Sequence, residues 1–145
     1  MSDKVKVSCY NCGATNNYPL DAAGKKVVCG KCHNELPAPG EVLEIPPDKA
    51  SILFAHSSLP VLVDFYSPTC GPCLAMHPVV ERLAKRKAGD LMVVRLNVDR
   101  LPEVGARFGI QGVPTFIVFG RGAERGRVSG AMSETDLSLW VASRT

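Results

Sequence analysis

Beyond Asp48 the chain alternates between apolar runs of strand length and segments with helical character. A helix is predicted over Asp48–Ala55, a strand over Val61–Tyr66, a helix from about Gly71 to Lys87 and a strand over Leu91–Val98. A short helix around Pro102–Phe108 follows, then strands near Thr115–Phe119 and Arg125–Ser129, and a last helix from Ser133 to about Ala142. Val61–Tyr66 is apolar almost throughout, the pattern of a strand buried on both faces. This order predicts an α/β domain with a central mixed sheet covered by helices on both sides. The first 45 residues differ: large apolar residues are few, Gly, Asn and Lys are frequent, and no core can form without a staple. Pro37-Ala38-Pro39-Gly40 and Ile45-Pro46-Pro47 read as a semi-rigid linker. The division is therefore placed near residue 45, with a small module and linker over 1–45 and the larger domain over 46–145. The larger part has its own core, so the two are expected to unfold separately.

Composition narrows the class. With 46% hydrophobic and 21% charged residues in 145, the chain is globular. The formal charge of +3 is spread out: residues 1–45 carry five basic and five acidic side chains, and residues 46–145 carry twelve and nine. Nothing forms the basic stripe that neutralises several phosphates, so a nucleic-acid partner is not expected. Lys85-Arg86-Lys87 reads as the solvated end of a helix, where cations complement the dipole. The start, Met1-Ser2-Asp3-Lys4-Val5, lacks the apolar region of a secretory signal, and no apolar stretch approaches the roughly 18 residues of a membrane span. A cytoplasmic monomer without a membrane partner is expected. In that reducing compartment paired cysteines read as metal ligands or catalytic thiols before structural disulfides.

All six cysteines fall into C-x-x-C pairs: Cys9/Cys12, Cys29/Cys32 and Cys70/Cys73. The first two pairs are separated by 16 residues, inside the window for a four-cysteine zinc ribbon. Two such turns offer four thiolates to one ion at about 2.3 Å, a closed tetrahedral site that would hold structural Zn2+. Ligand identity alone also admits iron in an S4 site. Gly13 and Gly30 stand where these turns need permissive backbone. His33 is a surplus candidate ligand, since four thiolates already saturate the ion.

The third pair, Cys70-Gly71-Pro72-Cys73, follows the buried strand and opens a helix. Cys70 thus lies at the positive end of a helix dipole, which favours its thiolate. Pro72 fits the first turn, where backbone N–H groups have no intrahelical partner.

With these residues in view, 46–145 resembles the thioredoxin family over nearly its whole length. The matching features are Val63-Asp64-Phe65, Cys70-Gly71-Pro72-Cys73, Pro78, Phe108-Gly109-Ile110-Gln111-Gly112-Val113-Pro114-Thr115 and Gly130. Together with the ribbon, the whole chain resembles the zinc-binding second type of bacterial thioredoxin. The resemblance implies a thioredoxin fold and a protein-disulfide reductase in which Cys70 attacks and Cys73 resolves. It further implies that Asp64 exchanges a proton with the resolving thiol, and that Pro114 is a cis-proline packed on the dithiol. A carboxyl group within an apolar strand should have a raised pKa, which suits that role. The implied partners are oxidised client proteins and a flavin thioredoxin reductase using NADPH. Three positions depart from the family's usual residues: Thr69 stands where Trp is usual before the first cysteine, Tyr66 where the aromatic after Asp-Phe is often Trp, and Arg95 stands for a lysine. Two other readings compete: an oxidase or isomerase on the same fold, and an adaptor whose ribbon recruits a partner. Gly71-Pro72 favours the reducing type, and the intact dithiol speaks against a mere scaffold.

Overall fold

The computed structural model describes residues 4–19, 26–100 and 102–145. Two antiparallel hairpins open it: β1 (Lys4–Ser8) pairs with β2 (Thr15–Pro19), and β3 (Val27–Val28) pairs with β4 (Glu35–Leu36). No strand is predicted here, although Lys4-Val5-Lys6-Val7-Ser8 alternates with Val5 and Val7 buried, because its partner Thr15-Asn16-Asn17 shows no such pattern. Their pairing is set by the C-x-x-C turns. The Cys9 N–H donates to the Ala14 carbonyl (2.8 Å) and the Gly13 N–H to the Cys9 carbonyl (2.9 Å). The second turn repeats the pattern, with Cys29 N–H to the Asn34 carbonyl (2.9 Å) and His33 N–H to the Cys29 carbonyl (3.0 Å). Gly13 takes φ 79°, as expected, but its counterpart is His33 at φ 66° and not Gly30. Position i+4 of each turn needs the left-handed conformation, and the second turn fills it with a side chain.

The larger part is a five-stranded sheet of order β5-β7-β6-β8-β9, built from β5 (Val42–Glu44), β6 (Val61–Tyr66), β7 (Met92–Asn97), β8 (Thr115–Gly120) and β9 (Ala123–Ser129). The β5, β7 and β6 strands run parallel, while β8 and β9 complete the sheet antiparallel. Strand β5 is the one strand of this five-stranded sheet that the sequence pattern misses. It is three residues long, lies between two proline-containing stretches, and enters the sheet ahead of residue 45. The predicted helix over Asp48–Ala55 divides into a 3-10 turn, Pro47–Lys49, and α1 (Ala50–Ala55). The others match closely: α2 (Gly71–Arg86), α3 (Pro102–Phe108) and α4 (Glu134–Arg144). Among the described residues no helix is long and apolar enough to cross a membrane.

Side-chain alternation splits the core in two. Leu62, Val93, Phe116 and Val118 face α2 and α4, meeting Met76, Val80, Leu83, Leu137 and Val141, with Trp140 partly buried beside them. Val61, Val63, Phe65, Val94 and Ile117 face α1 and α3, where Leu53, Phe54 and Val104 are buried. Phe54 stacks on Phe119 with ring centroids 4.4 Å apart.

The hairpin module joins this second core. Val5, Val7, Tyr10, Tyr18 and Leu36 belong to the same buried cluster as Ile45, Leu53 and Phe54. The Lys6 N–H donates to Ser58 Oγ (2.9 Å), the Ser58 N–H to the Lys6 carbonyl (2.8 Å), and Lys49 Nζ to Asn11 Oδ1 (2.7 Å). Burial of one large apolar side chain stabilises by about 1.5–3 kcal/mol, so the expectation of separate unfolding conflicts with this packing. The linker is held as well, since Pro37, Ala38 and Pro39 are buried and Tyr18 Oη donates to the Pro37 carbonyl.

Candidate active site and metal centre

Strand β6 delivers the chain to the N-terminus of α2, and the two ends of the dithiol are placed differently there. Cys70 is the N-cap of α2, and its Sγ accepts the Cys73 N–H at 3.1 Å. That bond takes up one of the amide donors left free at a helix start and sets the sulfur in the positive field of the helix. Cys70 and Cys73 are joined as a disulfide with a Cα–Cα distance of 5.2 Å. Cys73 is 1% exposed, whereas Cys70 is half-buried and can be reached by a second molecule. Cys70 Sγ lies 3.7 Å from the Val113 carbonyl oxygen, and the Val113–Pro114 peptide is cis. The structure thus brings Pro114 and the dithiol together.

Upstream of Cys70, Ser67 fixes the approach. Its carbonyl accepts the Cys70 N–H (3.1 Å), its Oγ donates to Asp99 Oδ2, and Oγ also meets Thr69 Oγ1 at 3.1 Å. Thr69 is exposed and ties itself into this loop, giving the dithiol no aromatic neighbour there. No sequence signal pointed to Ser67 or Asp99.

Asp64 sits on β6 two residues after Leu62, hence on the sheet face covered by α2, the helix that carries Cys73. In register across the sheet it stands beside Arg95 on β7, which stands beside Glu44 on β5. Asp64 is fully buried; Oδ2 meets Arg95 Nε at 3.5 Å and Oδ1 has no partner. Burial raises its pKa to about 6, while the charge and hydrogen bond of Arg95 pull it down. Arg95 also lies 3.9 Å from Glu81 and, at 5.9 Å, over the Tyr66 ring. Tyr66 Oη donates to Glu44 Oε1, and the His77 ring meets Tyr66 edge-on at 5.1 Å. Tyr66 and Arg95 stood out in the sequence, while His77 did not. Pro78 lies inside α2 on its exposed side.

At the other end, the four Sγ atoms of Cys9, Cys12, Cys29 and Cys32 lie within 4.8 Å of one another. Cys9–Cys32 and Cys12–Cys29 approach to 3.6 Å. A tetrahedron with metal–sulfur bonds of about 2.3 Å has edges of about 3.8 Å, so the four thiols fit a single ion. Their outer partners favour thiolates: Asn11 N–H reaches Cys9 Sγ (3.4 Å), Lys31 N–H and Asn16 Nδ2 reach Cys29 Sγ (3.4 and 3.5 Å), and Asn34 Nδ2 reaches Cys32 Sγ (3.3 Å). Backbone hydrogen bonding from Cys32, the Asn16 amide and the Lys31 N–H lower the Cys29 pKa to about 5, whereas burial raises that of Cys9 to about 11 when no cation faces it. His33 is exposed and stands outside the ligand group.

A C-x-x-C dithiol at the start of a sheet-packed helix, one sulfur accessible beside a cis-proline loop and one buried, defines a thiol-disulfide oxidoreductase. The comparisons carry this further. The Thioredoxin family profile matches residues 41–143. Thioredoxin C-3 of Corynebacterium nephridii is 30% identical over 135 residues, covering 93% of this chain and 92% of its own. Thioredoxin 1 of Nostoc sp. is 43% identical over 82 residues, 57% of this chain and 77% of its own. A solved structure of a mutant thioredoxin from Halobacterium salinarum superimposes with a TM-score of 0.67 at 31% identity, covering 76% of this chain and 96% of that one. The chain belongs to the thioredoxin family.

Proposed function

We propose that this protein is a protein-disulfide reductase in which Cys70 is the attacking thiol, Cys73 the resolving thiol, Asp64 the proton acceptor and Pro114 part of the client-docking loop. The observation that carries the reading is the asymmetry of the dithiol: Cys70 caps α2 and is accessible, while Cys73 is buried behind it. In the reduced protein the Cys70 thiolate attacks one sulfur of a client disulfide, forming a mixed disulfide and releasing the other client sulfur as a thiolate. Cys73 gives its proton to the Asp64 carboxylate as its sulfur attacks Cys70. The bond to the client breaks, and the reduced client leaves behind the Cys70–Cys73 disulfide. The Val113 carbonyl beside Cys70 gives an extended client segment a backbone partner at the point of attack. Two electrons from a flavin thioredoxin reductase using NADPH restore the dithiol, and the cytoplasm, which keeps thiols reduced, is the compartment where this cycle runs.

We further read the four-cysteine cluster as a structural zinc centre held by Cys9, Cys12, Cys29 and Cys32. The all-thiolate set near tetrahedral spacing supports zinc, and a closed site leaves the ion no open position for chemistry. The module over 1–45 carries the metal and the domain over 46–145 the redox chemistry. The test is insulin reduction coupled to NADPH oxidation, with metal content measured by mass spectrometry. Cys70→Ser is expected to abolish turnover, and Cys73→Ser to accumulate a mixed disulfide through Cys70. Adducts through Cys73 instead would reverse the assigned order.

A further inference from the structure

Beyond the dithiol and the metal centre, the described residues contain one concentration of buried polar atoms without a protein hydrogen-bond partner. Asp64 Oδ1, His77 Nε2 and Arg95 Nη2 are three of the four such side-chain atoms. They come from β6, α2 and β7: Asp64 meets Arg95 across the sheet, and the His77 ring lies against Tyr66 within the field of Arg95. Leaving such groups unpaired is costly, so native proteins pair them with protein or ordered water. One acceptor, one donor and a ring nitrogen that can take either part suit ordered water, which typically makes about three hydrogen bonds at a buried site.

The seam leads outward. Glu44 and Glu81 flank it and are exposed, β5 is the sheet edge, and His77 is half-buried. We propose that this seam is a water-bridged proton exit in which His77 passes the proton of Asp64 to solvent. The proposal rests on the reading of Asp64 as the acceptor of the Cys73 proton. His77 touches neither thiol; it is a positioning residue for the proton and acts through Asp64.

The step moves a proton and no electrons. Asp64, protonated when Cys73 attacks, gives its proton through water to Nε2 of the neutral imidazole. The imidazolium then releases a proton to bulk water, and Asp64 returns to its carboxylate for the next cycle. Four groups face His77: Tyr66 from β6, Arg95 from β7, Glu44 from β5 and Glu81 one turn further along α2, and Arg95 links it to Asp64. Burial and the Arg95 cation hold the His77 pKa below its ordinary value, with Glu81 and Glu44 opposing them. The ring is therefore neutral at pH 7 and open to a proton.

Stopped-flow reduction of insulin by the pre-reduced full chain, from pH 6 to 9, tests this. His77→Ala is expected to slow the reaction about tenfold near neutral pH, a modest share of what a lost proton-transfer group removes. Imidazole added to the buffer should restore most of that rate. His77→Gln, which fills the space and keeps polar atoms but cannot take up and release a proton at this pH, should be equally slow. In an Asp64→Asn background His77→Ala should have no further effect. Full speed in His77→Gln, or a slow His77→Ala that imidazole does not rescue, overturns the relay while leaving Asp64 as the acceptor. An unchanged rate in Asp64→Asn itself overturns the Asp64 assignment and the relay with it.

Discussion

Replacing Asp64 by Asn isolates the cost of one buried carboxylate. Asp64 is fully buried, and its one protein partner is Arg95 at 3.5 Å. Its pKa of about 6 compares with about 3.9 for an unfolded aspartate. Between these values the native state holds the proton while the unfolded chain has released it, so stability falls as pH rises from about 4 to 6 and then levels. Two pKa units correspond to about 3 kcal/mol lost above pH 6. Asn avoids that loss but gives up the ion pair, leaving Arg95 with Glu81 at 3.9 Å. The net gain expected for Asp64→Asn at pH 7.5 is about 1–3 kcal/mol, or about 3–10 °C in Tm for a chain of this length. Urea unfolding of the oxidised proteins at 25 °C, from pH 4.5 to 8, measures it. The parent midpoint should fall across the acidic half of that range while the variant's stays level. Parallel pH profiles would refute the burial argument, because they would mean that Asp64 titrates alike in both states.

Three further outcomes follow from other parts of the molecule. His33→Gly should stabilise the metal module by about 1 kcal/mol by relieving the left-handed side chain at φ 66°, read as slower metal loss to a chelator; faster loss would contradict it. Removing the metal should lower the Tm of the whole chain and raise amide exchange in Ala50–Ala55, since Val5, Val7 and Tyr10 share a core with Leu53 and Phe54; protection there unchanged from the metal-bound protein would show that the packing is dispensable. Reduction of Cys70–Cys73 should change the emission of Trp140 only slightly, because that side chain packs on the Leu137–Val141 cluster and Thr69 leaves the dithiol without an indole; strong dequenching would be the contrary result.

The redox domain was legible because its elements are long and strongly patterned. Val61–Tyr66 and Gly71–Arg86 appear at almost the predicted bounds, and the motif between them needs that strand-to-helix junction. The hairpins of the metal module were missed although Lys4–Ser8 alternates as a strand should; its partner Thr15–Pro19 does not, and the short β3 and β4 carry no period at all. Strand β5 was hidden for a related reason: three residues between prolines carry little periodicity, and only pairing with β7 makes them a strand. At the site, Cys70, Cys73, Asp64 and Pro114 were visible as motif positions. His77, Ser67 and Asp99 were not, because their meaning lies in contacts such as His77 against Tyr66 and Ser67 with Asp99, across 11 and 32 positions of sequence. The second turn shows the same limit: Gly30 was the apparent conformational residue, yet the geometry put the demand on His33.

The central claim, that the Cys70–Cys73 pair serves as a reductant, is tested most directly by its reduction potential, measured by equilibration in dithiothreitol and glutathione buffers with thiol trapping. Reducing character predicts a value near −270 mV, the reference value for thioredoxin, whereas a value near −120 mV, that of a strong dithiol oxidant, would contradict it.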